Sequence, residues 1–344
     1  MTIVTAGRRS RRVVAVAIAA LLATAAAGAA NRKAVDAARK EFIERMVADH
    51  GFDRAELTAV LAKAQIDQRV LDLIARPAER VVPWYEYRNI FLTEARIDAG
   101  VKFWKDHAAA LDAIAQRYGV APELLVAIVG VETFFGQRTG RYRVLDALST
   151  LAFAYPPRSR FFTAELESFL LLSREEGVDI AQVRGSYAGA MGPGQFIPSS
   201  YRAYAVDGNA DGKRDLWTDW DDVLGSVANY FKEHGWRTGE PVADEATRSE
   251  RWSGAEPGNN LQLGETIGSL SRMGYVFPSE LPEDAPAGAF ALEADGGGSE
   301  YWIGYHNFRV IARYNTSSKY ALAAYQLSQE IRARYVAAPG SGAE

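Results

Sequence analysis

The sequence predicts a mainly α-helical fold carrying a small β-containing insertion. Apolar residues recur at helical spacing through most of residues 31–236 and again over 316–335. Helix punctuation is regular: Gly51, Gly119 and Gly136 follow periodic runs, while Asp53 and Pro122 stand where new helices open. From about Arg237 to Ser299, glycine and proline become frequent and the helical period fades, so this stretch reads as loop-rich or β-containing.

Residues 1–30 stand apart. Arg8, Arg9, Arg11 and Arg12 precede an apolar run from Val13 to Ala27 with an alanine-rich end, the layout of a secretory signal. The run is short for a bilayer span, and an uncleaved membrane anchor is the alternative. Cleavage near Ala30 removes four arginines and no acids, which takes the formal net charge from −4 to −8. Such an acidic chain without a basic stripe argues against nucleic-acid binding. The absence of cysteine excludes a disulfide framework, a thiol nucleophile and a lipid-modified amino-terminal cysteine.

Val35, Ala38, Phe42, Ile43 and Met46 lie on one face of a first helix, and Leu57, Val60 and Leu61 on the next. The aromatic segment Pro83–Tyr87 leads into a helix expected to run through Ile90, Phe91, Ile97 and Phe103. Further helices are expected over Leu111–Tyr118, from Pro122 to about Phe135, and over Leu145–Leu172 with a break at Pro156-Pro157. Another covers Val223–Phe231. Tyr301–Ile303 and Phe308–Ile311 look able to pair as a hairpin around His306-Asn307. Thr316–Tyr335 reads as a last helix, and 337–344 as a disordered tail.

The helix from Pro122 is apolar nearly all round, so it should be buried. Glu132 lies in its last turns. Apolar surroundings disfavour the charged carboxylate, and the partial negative charge at a helix carboxyl end disfavours it again. Both raise the pKa, as a general acid working near neutrality requires. The plainer reading is a terminal glutamate turned to solvent or paired with Arg138.

The run Ser186–Trp236 weighs against the plainer reading. A glycine-rich turn with Gly189, Gly192 and Gly194 delivers Gln195 and Phe196, the polar and aromatic pair a sugar groove needs. Phe196, Tyr201, Tyr204 and Tyr230 could stack on sugar rings, though any one of them is more often core. Glycoside cleavage usually takes two carboxylates. None stands obviously beside Glu132, and Asp146 is a candidate by position alone.

A calcium-loop pattern starts at Asp207. Asp207, Asn209, Asp211 and Gly212 fit positions 1, 3, 5 and 6 of an EF-hand loop, and Lys213 would give its carbonyl at position 7. Position 12 is Thr218 rather than glutamate, so closure would need a longer loop reaching Asp221. A metal-free Asp/Asn/Gly turn is the alternative. The four histidines (His50, His107, His234 and His306) are scattered without zinc spacing. No nucleophile elbow or P-loop is present.

Together these motifs resemble the lytic murein transglycosylases, specifically the B type. The likeness rests on Gly130-Val131-Glu132-Thr133, Ser186–Gly192, Gln195-Phe196, Pro198–Tyr201, the Asp207 loop, Ser226–Tyr230, His234-Gly235-Trp236 and Arg313-Tyr314-Asn315. It runs through most of residues 35–335. It implies a lysozyme-like helical core with an additional α-domain and a small β-containing insertion. It also implies cleavage of the bond between N-acetylmuramic acid and N-acetylglucosamine in peptidoglycan without water. The muramic 6-hydroxyl attacks its own anomeric carbon and leaves a 1,6-anhydro end, which suits a single carboxylate serving as acid and then base.

By the same resemblance Glu132 is the catalytic residue and Ser186 orients the muramic N-acetyl group. Gln195, Phe196, Tyr230 and Tyr87 line the groove. Tyr314, Asn315 and Tyr320 form its carboxyl-terminal side, with Tyr320 holding Glu132. Arg158 meets stem peptides or the lactyl carboxylate; the second arginine that the family often has just before it is replaced here by Pro157. The metal set is Asp207, Asn209, Asp211, Lys213 and Asp221 around structural Ca2+, with no cofactor for catalysis. Glycan strands of the periplasmic wall are the implied partner, other cell-wall enzymes are candidates, and membrane contact follows only from an uncleaved signal.

The expected organisation is a signal peptide (1–30), an N-terminal helical domain (31–80) and a lysozyme-like core (81–236) carrying the loop 207–221. The insertion (237–299), the carboxyl-terminal part of the core (300–336) and a tail (337–344) follow. A hydrolytic muramidase with a second carboxylate, or a non-catalytic peptidoglycan-binding scaffold, are the rival readings.

Overall fold

The computed structural model describes residues 32–76 and 82–337. The expected signal at 1–30 and the tail beyond residue 337 lie outside them. The chain divides into two compact units. Of the described residues, the first comprises 32–75, Tyr142–Val183 and Tyr187–Gly189; the second comprises 76, 82–141, Arg184–Ser186 and 190–337.

The first unit is helical. A helix over 32–50 buries Phe42 and Met46, and Asp53 opens the next, Arg54–Ala62, by accepting from the Glu56 amide at 2.8 Å. Helices Val144–Ala154 and Ser159–Glu176 pack on each other across a short 3-10 turn at Pro156–Arg158, where the two prolines were expected to break the run. Asp146 belongs to this unit. It pairs with Arg143 at 3.2 Å and accepts from the Gln65 amide at 3.0 Å, so its carboxylate is engaged in holding helices together.

The second unit is built around the helix Pro122–Thr133. Gly119, in the left-handed region (φ 71°), ends the preceding helix Ala108–Tyr118, and Pro122 occupies the first turn of the new one. Leu124 to Val129 are all essentially inaccessible, as an all-round apolar helix demands. Helices Glu94–Asp106, Ala108–Tyr118, Trp220–Glu233 and Ser318–Ala337 pack against it. The single helix expected through Ile90 and Phe103 is in fact two, Trp84–Phe91 and Glu94–Asp106. Thr93 interrupts it, because its hydroxyl accepts from the Arg96 amide and caps a fresh start.

The insertion, together with residues 300–304 that were expected in the core, forms a five-stranded antiparallel sheet. Its strands are β1 Ala243–Arg248, β2 Glu265–Thr266, β3 Tyr275–Val276, β4 Pro286–Glu293 and β5 Ser299–Gly304, in the order β2-β4-β5-β1-β3. Ala246, Tyr275, Ala287 and Ile303 pack with Ile267 and Leu270 of a short helix to give the sheet its own core. The expected hairpin around His306-Asn307 does not form. Residues 301–303 lie in β5, which pairs with β4 and β1, and His306–Tyr314 is a helix. Its buried residues Asn307, Phe308, Val310 and Ile311 sit one, three and four apart, which is the helical period.

Candidate active site

Glu132 closes the buried helix just before an abrupt reversal. Phe134 (φ 53°) and Phe135 (φ 57°) are both left-handed, a conformation that costs a non-glycine residue about 1–3 kcal/mol. The amide of Phe134 donates to Gly130 O at 3.1 Å, that of Phe135 to Val129 O at 3.1 Å and that of Arg138 to Thr133 O at 2.9 Å. The Phe135 ring stacks on Phe103 and lies so close to Gly130 that a Cβ there would come within 2.8 Å of it. Gly130 thus makes room for the ring that turns the chain behind Glu132.

Thr133 ties this turn to the glycine-rich one. Its buried hydroxyl donates to Pro193 O at 2.9 Å and accepts from the Gly136 amide at 3.0 Å. In the glycine-rich turn, Met191 and Phe196 exchange backbone hydrogen bonds at 2.9 and 3.0 Å. Gly192 has φ 67° and lies against Leu216 O, which a Cβ would approach to 2.0 Å, so no other residue fits. Gln195 is also left-handed (φ 52°), and its amide nitrogen donates to Gly192 O at 3.0 Å and Thr139 O at 3.2 Å. Ser186 is held nearby in sequence: its amide donates to Ala190 O at 2.8 Å, and its hydroxyl accepts from the Ala190 amide at 3.0 Å.

Tyr320 donates to Glu132 Oε1 at 2.6 Å. Burial pushes the Glu132 carboxyl up to about 7, and the Tyr320 hydrogen bond opposes it. Burial, and then the Glu132 charge, push Tyr314 and Tyr320 well above the usual phenol range and raise Tyr87 in the same direction. Glu132, Tyr87, Tyr314 and Tyr320 therefore form one electrostatic neighbourhood. No other carboxylate contributes to the Glu132 shift. Arg138 does not pair with Glu132; its guanidinium lies 5.2 Å from the Phe134 ring.

A cavity of about 190 Å³ is lined by Gln195, Phe196, Ser200, Tyr230, Arg313 and Tyr314 among others. Phe196 is only 4% exposed and meets Tyr230 and Tyr314 edge-on, so it forms the packed wall behind this cavity. Tyr314 donates to Gly194 O at 2.6 Å and Tyr230 to Arg313 O at 2.7 Å. Burial raises Tyr230 to about 12, and His234 stacks on its ring at 4.0 Å. Asn315 is exposed just after the helix His306–Tyr314. Tyr201 is not available to a sugar: it is fully buried and its hydroxyl donates to Arg214 O. Arg158 belongs to the first unit, where its guanidinium lies 4.6 Å from the Phe161 ring and 5.0 Å from that of Phe162. A larger cavity of about 450 Å³, at the other end of the Pro122–Thr133 helix, contains none of the expected site residues.

The loop from Asp207 folds on its own oxygens. Asp207 accepts from the amides of Asp211 (3.1 Å) and Gly212 (2.8 Å), Asn209 from that of Asp211 (2.9 Å), and Asp211 from that of Lys213 (2.9 Å). Asp221 lies in the first turn of the helix Trp220–Glu233, behind the cap Asp219. The donors are all oxygens, as calcium requires. Among the described residues, however, no three Asp, Glu, His or Cys side chains are already gathered to hold a metal. Sequence reasoning missed Asp222. This fully buried carboxylate accepts from the Gly208 and Asp215 amides at 2.6 Å each and pins both arms of the loop. Thr133, Gly130 and Arg313 were likewise not singled out for these roles.

Residues 34–329 match the family model described as Transglycosylase SLT domain. The chain is 43% identical over 303 residues to membrane-bound lytic murein transglycosylase B of Escherichia coli, covering 85% of this chain and 82% of that protein. It superposes with a TM-score of 0.82, at 49% identity, on the soluble lytic transglycosylase SltB1 of Pseudomonas aeruginosa, covering 86% of this chain and 99% of that one. Escherichia coli Slt35 in complex with calcium is 42% identical, with a TM-score of 0.78 over 87% of this chain and 94% of that one. Pseudomonas aeruginosa SltB3 in complex with NAG-anhNAM-pentapeptide is 31% identical, with a TM-score of 0.78 over 87% and 80%. With a carboxyl of raised pKa, its tyrosines and its glycine-rich turn on the page, the chain belongs to the lytic murein transglycosylases and has their lysozyme-like helical fold.

Proposed function

We propose that this enzyme cleaves peptidoglycan between N-acetylmuramic acid and N-acetylglucosamine with Glu132 as its only catalytic carboxyl. The observation that carries the reading is a lone carboxyl near pKa 7, held by Tyr320, with no second carboxylate acting on it. Near neutrality such a group is divided between its two forms, as one residue acting first as acid and then as base must be. Glu132 gives its proton to the glycosidic oxygen as the bond to the muramic anomeric carbon breaks. The muramic 6-hydroxyl then bonds to that carbon and returns its proton to Glu132, leaving a 1,6-anhydro end and a recharged acid. An inverting or retaining hydrolase would need a partner carboxylate. Asp146, the candidate from sequence, is committed to Arg143 and Gln65.

In this reading Ser186 orients the muramic N-acetyl group, and Gln195, Tyr230, Tyr87, Tyr314 and Asn315 face the glycan. Phe196 backs the groove, and Arg158 meets stem peptides or a lactyl carboxylate. Asp207, Asn209, Asp211, the Lys213 carbonyl and Asp221 would hold a Ca2+ that stabilises the lobe; the oxygen-only donor set and the calcium complex of a relative support this. The arginine-led apolar start of the chain supports export to the periplasm. The test is mass spectrometry of muropeptides released from purified sacculi by the protein and by Glu132→Gln. Products one water lighter than reducing muropeptides, absent with the variant, are expected. Reducing products, or substantial turnover by Glu132→Gln, would refute the assignment.

A further inference from the structure

Two guanidinium groups flank the turn behind Glu132 and, among the described residues, have no acid paired with them. Arg96, on helix Glu94–Asp106, is only 7% exposed, and its Nε is buried without a hydrogen-bond partner. One Nη donates to Ile90 O. Its guanidinium carbon lies 5.2 Å from the Phe134 ring and 5.1 Å from Phe91; that of Arg138 lies 5.2 Å from the same Phe134 ring. Neither arginine makes an ion pair among the described residues. Glu132 is not their counter-ion, since its pKa is raised by burial and opposed only by Tyr320. Burial, and then repulsion from Arg138, lower the pKa of Arg96.

Two uncompensated like charges, one of them buried, are costly to keep. The two rings recover part of that cost as cation–π attraction, about 0.5–2 kcal/mol per contact. They leave the net charge and the orphaned Nε unmet. Elsewhere this acidic chain pairs its buried or bridging arginines readily, as Arg334 does with Glu94 and Asp98 on the same helix. The pair is joined to the site through the backbone. Arg138 precedes Thr139, whose carbonyl holds the Gln195 amide, and Phe134 follows the Thr133 clasp.

We propose that Arg96 and Arg138, set about Phe134, form a subsite for a carboxylate of the glycan strand. The inference rests on the peptidoglycan reading above and is distinct from the role of Arg158, which lies in the other unit. Arg138 is exposed and admits the anion, while Arg96 supplies a desolvated charge beneath it. A carboxylate on muramic acid has two sources, the lactyl group and the stem peptide.

Binding in the Glu132→Gln background separates these sources and is independent of turnover. Three strands are compared: peptide-bearing, amidase-treated with only lactyl carboxylates left, and peptide-bearing with all carboxyls converted to amides. Adding Arg138→Gln should weaken binding of a carboxylate-bearing strand, peptide-bearing or amidase-treated, about tenfold and leave the amide-converted strand unchanged, with Arg138→Lys intermediate. Loss on amidase-treated strands alone assigns the lactyl carboxylate, which peptide-bearing strands hold as an amide; loss confined to peptide-bearing strands assigns the stem, and loss on both means that the subsite accepts either. Equal loss on all three strands, or none on any, would overturn the subsite. Failure of the wild type to release anhydro products would instead overturn the catalytic reading and leave these binding ratios standing.

Discussion

Replacing Glu132 with glutamine should make the protein more stable, and increasingly so as pH rises. The carboxyl titrates at about 7 in the fold against an ordinary 4.5. Below pH 4.5 folded and unfolded chains both hold the proton, so burial of this group carries no ionic penalty. Between 4.5 and 7 the unfolded chain has released its proton while the folded one keeps it, and stability falls by about 1.4 kcal/mol per pH unit. Above 7 both are ionised, and a penalty of about 3 kcal/mol stands in full. Glutamine keeps the shape and an oxygen for Tyr320 but does not titrate. At this chain length about 3 kcal/mol corresponds to a Tm difference on the order of 5 °C. Calorimetry of both proteins from pH 4.5 to 8.5 tests this, because the difference between the two curves cancels the titration of every group they share. A difference that does not grow across that window would refute the claim that desolvation sets the Glu132 pKa, and with it the case for a self-recycling acid.

The Tyr320→Phe variant loses a hydrogen bond to a charged group, typically about 1.5–3 kcal/mol, so the alkaline limb of kcat against pH should move up by about one to two units. An unmoved limb would mean that Tyr320 is only packing. Thr133→Val leaves Pro193 O and the Gly136 amide unmet, which should cost about 1–3 kcal/mol in denaturant unfolding and lower kcat, with Thr133→Ser restoring both. Chelation should lower the Tm of metal-loaded protein, by about 2.7 kcal/mol of stability if loading is at a hundredfold excess over Kd; a melting curve indifferent to chelator and to added Ca2+ would remove the ion from the Asp207 loop.

Where local chemistry decided the structure, the sequence was readable. Gly119 and Pro122 marked where the preceding helix stops and the central helix starts, because a left-handed cap and a missing amide each suit only one position. Glu132 stood out because its helix has no polar face to carry it. The failures have one cause, in that distant partners outranked the local pattern. Phe308–Ile311 is apolar enough for a strand, but β5 finds its partners in β4 and β1, and the next segment is free to coil against Phe290. Tyr201 has the right residue type for a sugar platform, yet its hydroxyl is held by the backbone at Arg214. Gly130 gave no signal of its own, because what it accommodates is a ring brought back by the unusual turn at Phe134 and Phe135.

The two backbone contacts of Gln195 fix more than its position. Both hydrogens of its amide are spent, on Gly192 O and Thr139 O, so the side chain cannot turn over without setting oxygen against oxygen. What remains is a carbonyl that can only accept. In the proposed groove this point would accept from a hydroxyl or an N–H of the sugar and repel any carbonyl or acid oxygen brought to the same place. A glutamine, ordinarily the most ambivalent of polar side chains, acts here with one polarity. On the proposed reading it would sort the orientation of a strand by which edge of the sugar arrives first.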